Sequence, residues 1–256
     1  MKSLNVKWPR HVFHQKLADL AEIRPGDTVL DVGCGNGRTL PYLLERVGPG
    51  GRVVALDRQA DTLRIVAEQH ADAIASGALE IVIADITKPI TLPDAMGDVI
   101  VCQNVLECVP DRVVMIDEMW RLLKPGGRLL LGHHDFDGVI IASSDRSLTR
   151  RLIHGYADST GGWQDVSEGQ MGRLLPGLVN ASRFADAETE TVLLVDFDFA
   201  ENSAYANVFV NSLRDSAPNL GLEHEAVATW IAELEERVVA RSFYFAIPWV
   251  YVTARK

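Results

Sequence analysis

Between positions 28 and 131 the apolar residues of this chain fall into two alternating rhythms. Short, continuous apolar runs occur at 28–32 (TVLDV), 52–57 (RVVALD), 79–85 (LEIVIAD), 98–103 (DVIVCQ) and 128–133 (RLLLGH). Between them, helical spacing predicts helices over 38–47, 60–75 and 111–123. Continuous apolarity marks strands covered on both faces, and helical connections between them make parallel crossovers. The pattern predicts a doubly wound, mostly parallel α/β sheet. Gly48-Pro49-Gly50-Gly51 stops the first of these helices and Lys124-Pro125-Gly126-Gly127 the third. In the third, Val113, Ile116, Met119, Trp120 and Leu123 recur at helical spacing and are expected to form its core face.

After His134 the rhythm changes. A mixed segment over 135–185 contains a helix near 145–157, a Gly161-Gly162 break and a short helix near 169–180. A strand follows at 191–199 (TVLLVDFDF), then helices over 201–214 and 222–241, then an apolar run at 243–254. Pro248 lies inside that run, which suits an edge or a bulge better than a regular central strand. There is no internal repeat, so 1–256 reads as one domain. Residues 1–134 form its cofactor-binding half, and 135–256 the substrate side that completes the sheet. The irregular stretches leave the carboxyl ends of strands, where open α/β sheets place ligands.

Composition narrows the partners. The formal charge of −10 disfavours nucleic acid or an anionic membrane surface, with Arg146, Arg150 and Arg151 as the nearest local basic cluster. Cys34, Cys102 and Cys108 form no CxxC pair, which suits a reducing compartment and buried thiols. MKSLNVKWPR lacks an apolar core of signal-peptide length, and no run approaches the ~18 apolar residues of a membrane span. A cytoplasmic protein is expected.

The stretch DVGCGNG, Asp31 to Gly37, follows the first strand directly. It is not a phosphate loop, because no Lys-Ser or Lys-Thr follows. A dinucleotide turn needs GxGxxG, whereas Arg38 stands at the third small position and the glycines read GxGxG. Asp31 would also repel a pyrophosphate resting on the turn. An ammonium would be favoured there, unless Asp31 is merely a solvated acid beside a tight turn. S-adenosylmethionine, a nucleoside with an ammonium and no phosphate, meets this description. Asp57, ending the second strand, can accept both ribose hydroxyls. Asp85, ending the third, can take the adenine amino group while the Ile86 backbone N–H meets the ring.

These residues resemble the class I S-adenosylmethionine-dependent methyltransferases over about 25–133. VLDVGCGNG (29–37) is similar to that family's first motif, and ALD (55–57) to its second-strand acid. DVIVCQNVLECVPD (98–111) is similar to its fourth-strand segment, and RLLKPGGRLLL (121–131) to its turn into the fifth strand. The resemblance implies seven strands in the order 3-2-1-4-5-7-6, the seventh antiparallel, with helices on both faces and helical substrate-side insertions. It also implies that Gly33, Cys34, Gly35 and Gly37 bring backbone close to the methionine part. Asp57, with Arg58 beside it, would hold the ribose, Asp85 and Ile86 the adenine, and the backbone around Cys102-Gln103 the ammonium. One departure is Cys108, where many relatives have histidine in a Leu-Glu-His triplet. Any catalytic use of that histidine does not carry over.

His133 and His134 leave the fifth strand at the presumed acceptor site, followed by Asp135 and Asp137. Either histidine can serve as a general base for an alcohol or phenol, or both can simply bond backbone in a hydrated loop. No histidine or aspartate pair on the third or fourth strand completes a metal sphere, so no metal is expected. Among Trp163, Met171, Phe184, Tyr205, Phe209, Trp230 and Tyr244, some can wall an acceptor pocket and more belong to the core. The function expected is methyl transfer from S-adenosylmethionine to a small organic acceptor. A non-methylating reaction such as a cyclisation on the same fold, or a non-catalytic binding module, are the rivals. A nicotinamide oxidoreductase is disfavoured by Arg38 and Asp31.

Overall fold

The computed structural model describes residues 11–85, 87–161, 164–199 and 205–256. The first half runs α1 (His11–Leu20), β1 (Thr28–Val32), α2 (Leu40–Val47), β2 (Arg52–Asp57), α3 (Ala60–Gln69), α4 (Ala71–Ala75), β3 (Leu79–Ile83), β4 (Gly97–Gln103), α5 (Arg112–Leu122) and β5 (Leu123–His134). The second half adds β6 (Ile140–Ile141), α6 (Arg146–Ala157), α7 (Met171–Asn180), β7 (Ala185–Asp196), α8 (Tyr205–Ser216), α9 (His224–Val239) and β8 (Phe245–Arg255). Local chemistry sets several boundaries. Asp111 and Asp145 accept the backbone N–H of Val114 and Leu148, capping α5 and α6, and proline occupies the first turn of α2.

The strand order is β3-β2-β1-β4-β5-β8-β6, with β7 also paired to β8. β1 to β5 are mutually parallel, and β8 runs antiparallel to β5 and β7. The seven long strands therefore take the expected order, β7 and β8 standing as sixth and seventh. The two-residue β6 is the addition. Ala246 pairs with Ile140 of β6 and with Val195 of β7, so these two lie on opposite sides of β8 and β6 continues the line of β5.

That arrangement corrects the expectation for Pro248. Its strand is internal, flanked on both sides. Pro248 falls in the gap where the chain leaves β5 at His134 and rejoins at Ile140. Its carbonyl accepts from Asp135 N at 3.0 Å, so the missing N–H faces the interruption and forfeits no ladder bond. An internal strand tolerates the proline because its neighbour detours there.

Helices cover both faces. Phe13 and Leu17 of α1, Leu40 and Leu43 of α2, Val66 of α3, and residues of α6, α8 and α9 share one apolar cluster. Ile116 and Met119 of α5 and Leu175 and Val179 of α7 belong to the other. In α5 the buried face is Met115, Ile116, Met119 and Leu122. Val113 is 64% exposed and Leu123 already belongs to β5, which shifts the predicted stripe. α1 has no counterpart among the predicted helices. None of the described helices is long and apolar enough to cross a membrane.

Candidate cofactor and acceptor site

The strands end at one edge of the sheet, and the turn after β1 is the first element of the site. Gly33 has φ +77°, and a Cβ there would lie 2.4 Å from Val105 Cγ2. Only glycine meets both conditions. Gly33 N and Cys34 N both donate to Leu56 O, at 2.8 and 2.9 Å, which ties the turn to β2. Gly35 N donates to Asp57 Oδ2 at 2.8 Å, while Asp57 Oδ1 accepts from Gln59 N at 3.0 Å. A Cβ on Gly35 would meet nothing within 4 Å, so the backbone there borders open space.

That space is a cavity of about 450 Å³, within the usual size of small-ligand sites. Asp31, Gly33, Cys34, Gly35, Asp57, Arg58 and Gln103 all line it. Asp31 is buried, and its Oδ2 has no hydrogen-bond partner among the described residues. Burial pushes its carboxyl up to about 7, and the nearby charge of Asp57 adds to the effect. An unpaired buried carboxylate is costly, and a ligand cation would relieve it. Gln103 Oε1 is likewise buried without a partner.

The remaining sequence-predicted positions stand further back. Gly37 and Cys102 are not on the cavity wall; Cys102 is buried behind it. Asp85 accepts from Thr87 N and Oγ1 and pairs with Lys88 Nζ at 2.6 Å. Its bonds to Lys88 and then to Thr87 hold its carboxyl down to about 2. Thr87, not Asp85, reaches the cavity. Ile86 lies outside the described residues, as does Trp163. Arg58 joins Asp165 at 2.6 Å and so fastens the segment before α7 to the end of β2.

The two histidines separate, as adjacent residues of a strand must. His134 lines the cavity and His133 does not. His133 Nδ1 lies 2.9 Å from His134 O, and its Nε2 is 3.8 Å from Glu107 Oε2. Burial lowers His133 to about 4 and raises Glu107 to about 7. The pair is therefore not a full ion pair near neutrality. His134 Nε2 lies 2.7 Å from Tyr205 Oη, and burial holds its basicity well below the ordinary value.

Phe13 and His14 of α1, Asn104, Tyr205 and Val208 of α8 and Trp249 of β8 complete this end. Phe13 stacks on Trp249 with centroids 4.2 Å apart, and His14 Nδ1 lies 2.9 Å from Thr39 Oγ1. Of the predicted aromatic and sulfur residues, Tyr205 reaches the wall, while Met171, Phe184, Phe209 and Trp230 are buried in the core. His14, Asn104 and Trp249 were not singled out by sequence. The spacing of Phe13, Leu17, Ala18 and Ala21, all buried, was the available signal for α1. Among the described residues no group of three or more His, Cys, Asp or Glu side chains can hold a metal ion.

A family profile described as a methyltransferase domain matches residues 23–170. Nocamycin O-methyltransferase of Saccharothrix syringae is 36% identical over 115 residues, 45% of this chain and 40% of that protein. The ubiquinone/menaquinone biosynthesis C-methyltransferase UbiE of Hydrogenovibrio crunogenus is 31% identical over 124 residues, 48% of this chain and 46% of that one. The solved YcgJ protein of Bacillus subtilis aligns over 96% of this chain and 99% of its own, with TM-score 0.61 and 18% identity, a likeness of fold. The matches to these curated relatives span less than half of their length. The chain belongs to the class I S-adenosylmethionine-dependent methyltransferases. S-adenosylmethionine is its cofactor.

Proposed function

We propose that this protein transfers a methyl group from S-adenosylmethionine to a small organic acceptor by in-line displacement. The observation that carries the assignment of the site is the buried, unpartnered Asp31 Oδ2, which shares one cavity with the Gly35–Asp57 bond and the aromatic end. Asp31 would meet the ammonium, together with backbone near Gln103. Asp57 would accept the ribose hydroxyls on lone pairs left by Gly35 and Gln59, with Arg58 alongside. The backbone of Gly33, Cys34 and Gly35 would pass close to the methionine part, with Gly37 behind. Contact with the adenine beyond β3 would fall to Thr87, which lines the cavity, while the Asp85 carboxylate would have to give up Thr87 and Lys88 to take part. The fit rests on an orphaned acid and an open glycine cradle, both suited to a cationic nucleoside.

When bound, the cofactor supplies a methyl on a positively charged sulfur, an excellent leaving group. The protein's own work is then alignment of acceptor and methyl, which can supply several kcal/mol. The acceptor end is lined by Phe13, Val208, Tyr205 and Trp249, a surface suited to a small, partly apolar molecule. The names of the nocamycin and ubiquinone/menaquinone relatives support an acceptor of that size. Of the two histidines, His134 lines the cavity and His133 does not, so any contact with the acceptor would fall to His134.

Calorimetry tests the cofactor contacts. Asp57→Ala removes a charge-assisted acceptor and its tie to Gly35, so cofactor affinity is expected to fall by about 100-fold, or roughly 3 kcal/mol. A variant binding as tightly as the parent would remove Asp57 from the site. Incubation with methyl-labelled cofactor tests the reaction, because only transfer moves the label to an acceptor.

A further inference from the structure

Between α6 and α7 the chain is fastened at a rear and at a front. The rear is held through backbone: Phe136 N and Asp137 N donate to Gly169 O at 2.8 and 3.3 Å. Ser167 Oγ adds a bond to Ala157 O at 3.3 Å. The front is held through side chains. Asp165 Oδ2 lies 2.6 Å from Arg58 Nη1, and the Gln164 side chain bonds Glu107 and Cys108.

The two front contacts reach different strands. Arg58 follows directly on β2, whereas Glu107 and Cys108 lie in the turn Leu106–Cys108 after β4. β2 and β4 flank β1 on opposite sides. Neighbouring strands lie about 4.8 Å apart, so the ends of β2 and β4 stand roughly 10 Å apart across the glycine turn. Gln164 and Asp165 are consecutive, with Cα atoms about 3.8 Å apart, and their side chains make up the rest of that span. Arg58 and Cys108 both line the cavity, so the crossing borders it. Asp57, next to Arg58 in the chain, is the ribose acceptor proposed above, which puts the crossing at the nucleoside end.

We propose that Asp165 is a positioning residue for the methyl-donor site: through Arg58 it latches residues 164–165 across the nucleoside end and sets the rate at which donor enters and spent donor leaves. This deepens the reading of the site given above and rests on it. Asp165 is not on the cavity wall, so its bond to Arg58 needs no ligand to form. A contact that favours the closed crossing equally with and without ligand leaves affinity unchanged and slows entry and release together. The side chains of Arg58 and Asp165 are 28% and 41% exposed, and losing a pair of that kind shifts an equilibrium by about two- to five-fold.

Surface plasmon resonance with S-adenosylhomocysteine on the immobilised protein reads both rate constants. Asp165→Asn is expected to raise association and dissociation by about two- to five-fold each, with Kd within about two-fold of the parent. A change in one rate without the other, or in neither, would overturn the latch. Salt tests the parent directly, without any substitution. S-adenosylhomocysteine carries no net charge near neutrality, so its own encounter responds little to ionic strength. Raising salt from about 0.05 M to about 0.5 M should therefore speed both steps in the parent by screening the pair, and leave Asp165→Asn nearly unmoved. Equal salt responses in the two proteins would also overturn the latch. Absence of S-adenosylhomocysteine binding to the folded parent is a separate outcome, and would overturn the reading of the site itself. Thermal melting confirms that the variant is folded.

Discussion

Asp31→Asn is expected to make the ligand-free protein more stable and to weaken S-adenosylmethionine binding by about 100-fold. The buried Asp31 carboxyl has Oδ2 unpartnered, and its pKa is raised from 3.8 to about 7. A raised folded-state value contributes stability that is fully present below the unfolded value and is lost as pH rises through the folded one. The loss therefore runs from about pH 4 to about pH 7 and amounts to roughly 2–4 kcal/mol. Asparagine has no such titration. The advantage of the variant should be largest above pH 7 and shrink toward pH 4. Glu107, also raised to about 7, adds a slope of the same sign in both proteins. His133, lowered to about 4, adds the opposite slope between its unfolded value near 6.5 and that pH. The difference between parent and variant isolates Asp31. Chemical denaturation at pH 5, 7 and 8.5, with calorimetry at pH 7.5, measures both halves. Equal stability at pH 8.5 together with equal affinity would refute the proposed role. The trade is the familiar one in which a binding site retains a destabilising group.

The second large effect is expected at Gly33. Gly33→Ala places a methyl 2.4 Å from Val105 Cγ2 on a backbone at φ +77°. Strain and overpacking together should cost about 2–4 kcal/mol and displace the turn that carries Gly35 toward Asp57. Cofactor binding should become undetectable by calorimetry. Adding Val105→Ala removes the closest clash but leaves the backbone strain, so the double variant should recover part of the stability and little of the affinity. Full recovery would show that sterics alone, not left-handed geometry, selects glycine there.

These two residues were legible because both belong to a local pattern. A strand, a tight turn and the next strand's acid place Asp31, Gly33 and Asp57 together, and all three fall within 27 consecutive positions. The parallel half of the sheet was legible for a similar reason, since strands buried on both faces leave continuous apolar runs. Tyr205 and Trp249 come from α8 and β8, and meet His134 only through tertiary packing. No spacing rule connects positions 134, 205 and 249. β7 begins at Ala185 rather than at 191 because its first residues, ADAETE, are largely exposed and carry no apolar run. The α5 stripe slipped because the helix begins after its Asp111 cap and ends where Leu123 enters β5. Asp85 shows the limit of motif reasoning. Its position follows the pattern, but its carboxylate is engaged by Thr87 and Lys88 in this structure.

The internal placement of β8 has a consequence for the order in which the molecule can be assembled. β8 follows every other described strand in the chain, yet it pairs with both β5 and β7. During synthesis those two strands emerge with open edges and wait for a neighbour. Trp249 arrives with the same strand, so the stacking surface for His134 and Phe13 comes last. The nucleotide end, from β1 to β4, needs no part of β8 to form its pairings. A nascent chain could thus acquire the place for its methyl donor before it acquires the wall against which an acceptor is turned.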